Sequence, residues 1–492
     1  MDLDKGEKTM LGKEDGRRDF FDGYVEQRLL PKEHELLEID ERIDFSFVEE
    51  EVRDLYCASN GRPSYPPERM FRILFLEYYY NLSDVEVVKQ LQVNILFRWF
   101  VGLSLDDPIP DDSSLSVFRA RLREERFQRL FSRLIEQCQK EELLGHQLKI
   151  LDATHVVADV AVPSTINLLR EGRRRVLKRI EERRGGQEAL EEFRPEERSP
   201  LRYSKEQLAE EVRKTRGLIA RVQGIYEEAA QEIAHLEEVV NPTGKRTLVS
   251  LVDPDARFGR KSPTKPFAGY KVHVVQDSTS ELVTNLEVLP GNANEGEHSH
   301  TSELLKREEE QGIRHQGVVA DALYDSKDNY VLARELKMMA YIPGRQENRR
   351  AKSFYYDEET DKLICPHGAK SIGKVRHSKS GEIYYFSIRD CRGCTRADCK
   401  RDTTGRVRVY LGEGEKARRA IPEEAMRWAL SERKKVERRF GQAKRHHRLA
   451  RARYRGRWRM GIQAVMTFFV IDAKRMVKLL AERPNPPSLA PG

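Results

Sequence analysis

Apolar positions along the chain follow two periods, and the switch between them marks the elements. Pro66 and Pro67 open a run to Tyr80 that predicts a helix started by prolines. Ser83-Asp-Val-Glu86 forms a capping box for a second helix carrying Val87, Val88 and Leu91, which leads into Leu96 to Leu103. Asp112 caps a long helix whose apolar positions run from Leu115 through Phe118, Leu122, Phe127 and Leu130 to Leu134 and Ile135. The period then changes. Leu148 to Asp152 is a short strand ending in a carboxylate, and His155 to Val162 is a second apolar run. Phe267 to Val275 and Leu282 to Leu289 flank a polar turn and predict a hairpin. Gly317 to Asp321 is another strand ending in a carboxylate, followed by a helix over 328–337 and a strand from Met339. Ile462 to Leu480 is apolar enough to be a helix packed into the core.

Three stretches break this rhythm. Residues 1–60 are a charged lead-in. Residues 165–245 are rich in Arg and Glu, then repeat Leu208, Val212, Ile219, Val222 and Tyr226 at helical spacing, which predicts a helical hairpin or coiled insertion. Residues 345–420 are polar, strand-like in pieces and hold Cys365, Cys391, Cys394 and Cys399. Pro484 to Gly492 is a disordered tail. The boundaries expected are a lead-in (1–60), a helical N-terminal domain (61–145), a core (146–480) interrupted by the two insertions, and a tail (481–492).

Charge changes the picture more than composition does. The chain has 492 residues, 34% charged and 39% hydrophobic, with a net charge of +7. No run approaches the ~18 apolar residues of a membrane span, and the polar, partly acidic N-terminus excludes a secretory signal, so a cytoplasmic protein is expected. Between Arg433 and Arg459 stand thirteen basic residues and one acid, Glu437, interleaved with Phe440, Tyr454 and Trp458. That is the footprint of a phosphate-backbone binder. Arg451, Arg453 and Arg455 read as DNA contacts, and His446 and His447 as additional ones. The alternative is that these arginines pair with the acidic lead-in or the Glu-rich insertion of the same chain.

Met426, Leu430, Arg433, Glu437, Phe440 and Lys444 share one helix face, and three of the six are ionisable. A solvated helix with i,i+4 pairs is the plain reading of such a stripe. The competing reading links Glu437 to Asp152 and Asp321. Two strand-end aspartates and one helix glutamate can converge on hard divalent cations, although each aspartate taken singly is also an ordinary turn or cap residue.

Ile150-Leu-Asp-Ala-Thr-His155, Val318-Val-Ala-Asp-Ala-Leu-Tyr-Asp-Ser326 and the basic helix together resemble the DDE transposases of bacterial insertion sequences. The third motif of that family reads Tyr, two residues, Arg, three residues, Glu, six residues, Lys. Arg433, Glu437 and Lys444 fit it, and Leu430 stands where the family has tyrosine. Gly61 to Tyr65, Phe97 to Leu103, Ser113 to Arg119, Phe258 to Ser262 and Pro266 to His273 are similar to other parts of the same family. The resemblance implies an α/β protein: a ribonuclease H-like mixed sheet with a helical N-terminal domain, a helical insertion and a cysteine-containing insertion. It implies Asp152, Asp321 and Glu437 as catalytic ligands of Mg²⁺, with Mn²⁺ as substitute. Arg433 and Lys444 would grip DNA or pair with the carboxylates. The partners implied are double-stranded transposon ends and target DNA, bound by a homodimer associated with the nucleoid.

Two rivals stay open: a remnant that binds ends without cutting, and a nuclease without strand transfer. Cys391-x2-Cys394, with Cys365, His367 and Cys399, is a candidate structural zinc site of irregular spacing. His298 and His300 read as loop residues, and Asp159 and Asp325 as structural neighbours of the ligands.

Overall fold

The computed structural model describes residues 23–24, 28–57, 64–186, 188–196, 203–240, 247–262, 264–344, 353–357, 359–377, 381–392, 394, 399 and 401–483. The tail from 484, most of the lead-in before residue 28, and Gly61 to Pro63 lie outside them.

From Glu35 the described helices are α1 (Glu35–Arg42), α2 (Phe47–Val52), α3 (Pro67–Tyr79), α4 (Asp84–Val93), α5 (Ile95–Val101) and α6 (Asp112–Lys140). The prolines start α3 and the Ser83–Glu86 capping box starts α4, as expected. The lead-in differs from expectation. From Glu35 onward it is helical, and Leu36, Ile39, Phe45, Phe47, Val48 and Val52 are buried. Short helices show few turns of periodicity, and their acidic outer faces mask the apolar stripe.

Then follow β1 (Leu148–Val157), α7 (Thr165–Arg184), α8 (Lys205–Val222), α9 (Ala230–Val240), β2 (Arg257–Ser262), β3 (Lys265–Asp277), β4 (Val283–Pro290), α10 (His298–Glu310), β5 (Gly317–Val319), α11 (Lys327–Glu335) and β6 (Met339–Tyr341). The cysteine-bearing insertion has β7 (Tyr355–Asp357), β8 (Lys362–Ile364), β9 (Gly373–His377), β10 (Gly381–Tyr385) and β11 (Arg408–Gly412). The chain ends in α12 (Glu413–Arg419), α13 (Glu423–Arg433), α14 (Lys435–His446) and α15 (Arg457–Ala481).

The central sheet runs β2-β3-β1-β5-β6, with β4 also on β3. β3 pairs antiparallel with β1, β2 and β4, whereas β1–β5 and β5–β6 are parallel. Gly269 is needed where β3 passes β1: its φ is +153°, and a Cβ there would meet the Val156 carbonyl oxygen at 2.0 Å. The last helix, α15, is buried on nearly every side from Met460 to Ala473. It packs on α1, α3, α6 and β4. Phe469 meets the Phe71 ring edge-on at 5.1 Å and lies beside Phe45 and Phe75. The N-terminal helices and the sheet therefore share one core. The helical insertion has its own core, in which Leu168, Val176, Ile180, Leu218, Ile233 and Leu236 pack together, and its described residues form the α-helices α7, α8 and α9. Its Arg and Glu residues are partly internal: Arg170 and Arg173 both pair with buried Glu211.

Candidate active site

Asp152 sits within β1, not at its end, because β1 runs unbroken from Leu148 to Val157. Its place is nevertheless a boundary. The parallel ladder between β1 and β5 stops at Ile150–Val319, while β1 continues along β3. β5 then turns away, and Asp321 caps the 3₁₀ turn Ala322–Tyr324, its Oδ1 accepting from the Leu323 N–H at 2.7 Å. The gap between the diverging strands opens as a cleft of about 960 Å³. The helix expected over 426–444 is two helices meeting at Lys434. Arg433 ends α13, Glu437 lies in the first turn of α14 and Lys444 in its last, and all three line the cleft with Asp152 and Asp321. Leu430 packs against the main core, as an apolar residue on this face would.

The Arg433 guanidinium stands between the two aspartates, 3.4 Å from Asp152 Oδ2 and 3.7 Å from Asp321 Oδ2. Burial pushes the Asp152 carboxyl up to about 6; Arg433 opposes that rise, while Asp321 and Glu295 add to it. Glu437 is exposed on the rim. Lys444 is brought down to about 8 by burial and then by Lys261, and His155 down to about 4 by burial and then by Lys444 and Lys261. Among the described residues, no three His, Cys, Asp or Glu side chains are grouped so as to hold a metal ion. The donor chemistry fits Mg²⁺, since the cleft offers carboxylate oxygens and already draws a cation, the guanidinium, between two of them.

Sequence reading missed Glu295, which lines the cleft and pairs with Lys271, itself bonded to the Ala293 carbonyl at 2.9 Å. Glu295 follows a Gly-Asn-Ala-Asn turn with no period to flag it. Behind the aspartates, Tyr324 and His273 are 2.9 Å apart, and His273 faces Glu287 at 3.2 Å. Asp325 is structural, bonded to Arg418 at 2.7 Å and to Tyr330. Asp159 pairs with Arg451 at 2.8 Å on the surface. His298 and His300 are not in a loop but open α10.

The basic segment divides. Arg453 is committed to the fold: it bonds Glu77 at 2.9 Å, the Leu82 carbonyl and Asn81, which corrects its expected role as a DNA contact. His447 is corrected likewise, being buried and bonded to the Tyr78 carbonyl at 2.9 Å. Arg455 and Arg459 are exposed beside Trp458 in a second, basic pocket.

A family model described as a transposase domain (DUF772) matches residues 24–121, and one described as a transposase DDE domain matches residues 364–477. The chain belongs to the DDE transposases of insertion sequences. No solved structure matches it. The mixed sheet of this transposase is the ribonuclease H-like core expected. The DDE match carries Arg433, Glu437, Lys444 and the four clustered cysteines, while Asp152 and Asp321 lie outside it. As a DDE transposase it is an enzyme that acts on DNA and depends on a divalent metal. Among the described residues, no helix is long and apolar enough to cross a membrane.

Proposed function

We propose that this transposase binds the two ends of its own insertion sequence, hydrolyses a phosphodiester at each end, and joins the freed 3′ hydroxyl to target DNA. The observation that carries this reading is the convergence of Asp152, Asp321, Glu437, Arg433 and Lys444, from three separated segments, on one cleft. Asp152, Asp321 and Glu437 would hold Mg²⁺, or Mn²⁺ in its place. When bound, such ions activate the attacking oxygen and stabilise the leaving one.

The chain's own residues supply the rest. Arg433 offsets part of the negative charge of Asp152 and Asp321 in the free protein, which lessens the repulsion between them without a bound cation. Lys444 and Lys261, on the wall of the same cleft, offer charge to the scissile strand's phosphates. In the first step water attacks the phosphorus at the transposon end, a new P–O bond forms as the P–O3′ bond breaks, and a 3′ hydroxyl is left on the end with a 5′ phosphate on the flanking DNA. In the second that hydroxyl attacks a target phosphorus, one P–O bond forms as another breaks, and no external energy is needed. Two ends require two clefts, which a homodimer assembled on DNA in the nucleoid supplies.

The test pairs wild type with Asp152→Asn on labelled end duplexes, with and without target DNA. Cleavage should fall to background in the variant while end binding changes little, because phosphate contacts supply most of the affinity. Wild-type binding without cutting would identify a remnant, and cutting without joined products a nuclease.

A further inference from the structure

The cysteine-bearing insertion is short of core. Its described part holds two small sheets around Phe354, Leu363, Tyr384, Phe386, Val407, Val409 and Leu411. So few buried side chains are weak support for five strands, and small folds of this kind are commonly stapled by disulfides or metal. None of the six cysteines is in a disulfide.

Two tight turns present the clustered cysteines. Cys365 directly follows β8; the Gly368 N–H donates back to its carbonyl at 2.8 Å, with Gly368 at φ +83°, and its own N–H donates to the Ala369 carbonyl. The second turn is Cys391 to Cys394, where the Cys394 N–H donates to the Cys391 carbonyl at 3.3 Å. Both turns, together with Cys399, line one cavity of about 290 Å³, although two strands, β9 and β10, separate Cys365 from Cys391 in the chain. Cys365, Cys391 and Cys399 also pack against the small core. His367, Asp390, Arg392 and Arg401 complete the polar lining, two cations against one acid, and Arg401 donates to the Cys391 carbonyl at 2.9 Å.

We propose that Cys365, Cys391, Cys394 and Cys399 bind one Zn²⁺ as four thiolates and so staple the insertion. Each thiol releases its proton to solvent as its sulfur meets the ion, and the resulting charge of −2 faces Arg392 and Arg401. The sulfurs are not yet grouped at metal-holding spacing, so side-chain rotation must draw them to Zn–S distances of ~2.3 Å. The site is independent of the catalytic cleft, whose donors are oxygens.

The test uses the full chain, purified without metal-affinity resin. Metal analysis should find about one zinc per chain. Cobalt in its place should give the intense thiolate-to-metal absorption of a tetrahedral sulfur site. Cys365→Ser and Cys394→Ser should each lose most of the zinc, whereas Cys57→Ser should keep it. Should a serine variant fail to fold, chelator added to folded wild type should speed proteolysis within 353–412 and leave α15 protected. Zinc absent from wild type, zinc retained by both serine variants, or proteolysis unchanged by chelator overturns the staple. Zinc lost in His367→Ala but kept in Cys399→Ser overturns the four-thiolate assignment.

Discussion

The catalytic cleft and the junction around Glu77 are built from the same parts, buried acids and arginines, and do opposite things. At the junction Glu77 is 1% exposed and is held by Arg119 from α6 at 3.2 Å and by Arg453 at 2.9 Å. Tyr454 and the Tyr78 ring close the space around the arginines. Burial still pushes Glu77 up to about 7, so the pair is costly, and its use is to lock the basic segment onto the N-terminal helices. In the cleft a single guanidinium serves two aspartates at longer range, and the space beside it is open. An acid enclosed by its partners is a fastening. An acid left partly uncompensated beside open volume is a site for an incoming cation.

Catalysis separates the two regions most sharply. Asp321→Asn should abolish end cleavage while the denaturation midpoint stays near wild type, because that carboxylate is a third exposed and caps only one short turn. Residual cleavage close to wild type would remove Asp321 from the ligand set. Next in size is Arg453→Ala, which strands Glu77 without its nearer arginine. A loss of ~3–5 kcal/mol is expected by urea denaturation, and a loss below ~1 kcal/mol would mean the junction behaves like a surface pair.

The third effect is pH dependence at the same junction. Burial lowers His447 from its ordinary 6.5 to about 4. The folded state therefore binds fewer protons than the unfolded state between those values. Its stability contribution is complete above about pH 6.5 and is lost as pH falls toward about 4. His447→Gln should flatten that acid limb by up to ~3 kcal/mol, and an unchanged limb would show that the ring is not held neutral. The smallest effect is on DNA. Arg455→Ala with Arg459→Ala should reduce the slope of log affinity against log salt by ~0.9 for each phosphate no longer neutralised. Arg453→Ala at a temperature where it remains folded should leave that slope unchanged, which separates fastening from DNA binding within one basic run.

Local elements and long-range contacts were unequally legible. Local signals sufficed where a residue's role depends on its neighbours in sequence: the capping box at Ser83, the prolines opening α3 and the strongly apolar last helix are decided by backbone hydrogen bonding and period. The motif spacing of Arg433, Glu437 and Lys444 survived even the break at Lys434, because both halves keep helical geometry across it. The lead-in failed as a reading because two-turn helices carry too little periodicity to rise above their charges.

By itself the sequence determined the family, the alternation of helical and mixed-sheet regions, and a short set of acids and cysteines fit for metal chemistry. Only the tertiary structure decided which charges do what. Arg433, Arg453 and Arg455 read alike in a basic run. One faces two aspartates, one is consumed by Glu77, and one faces solvent. A side chain's charge is a local property, but its burial and its partners come from segments hundreds of residues away. Those long-range contacts are what turn equivalent arginines into a site, a fastening and a surface.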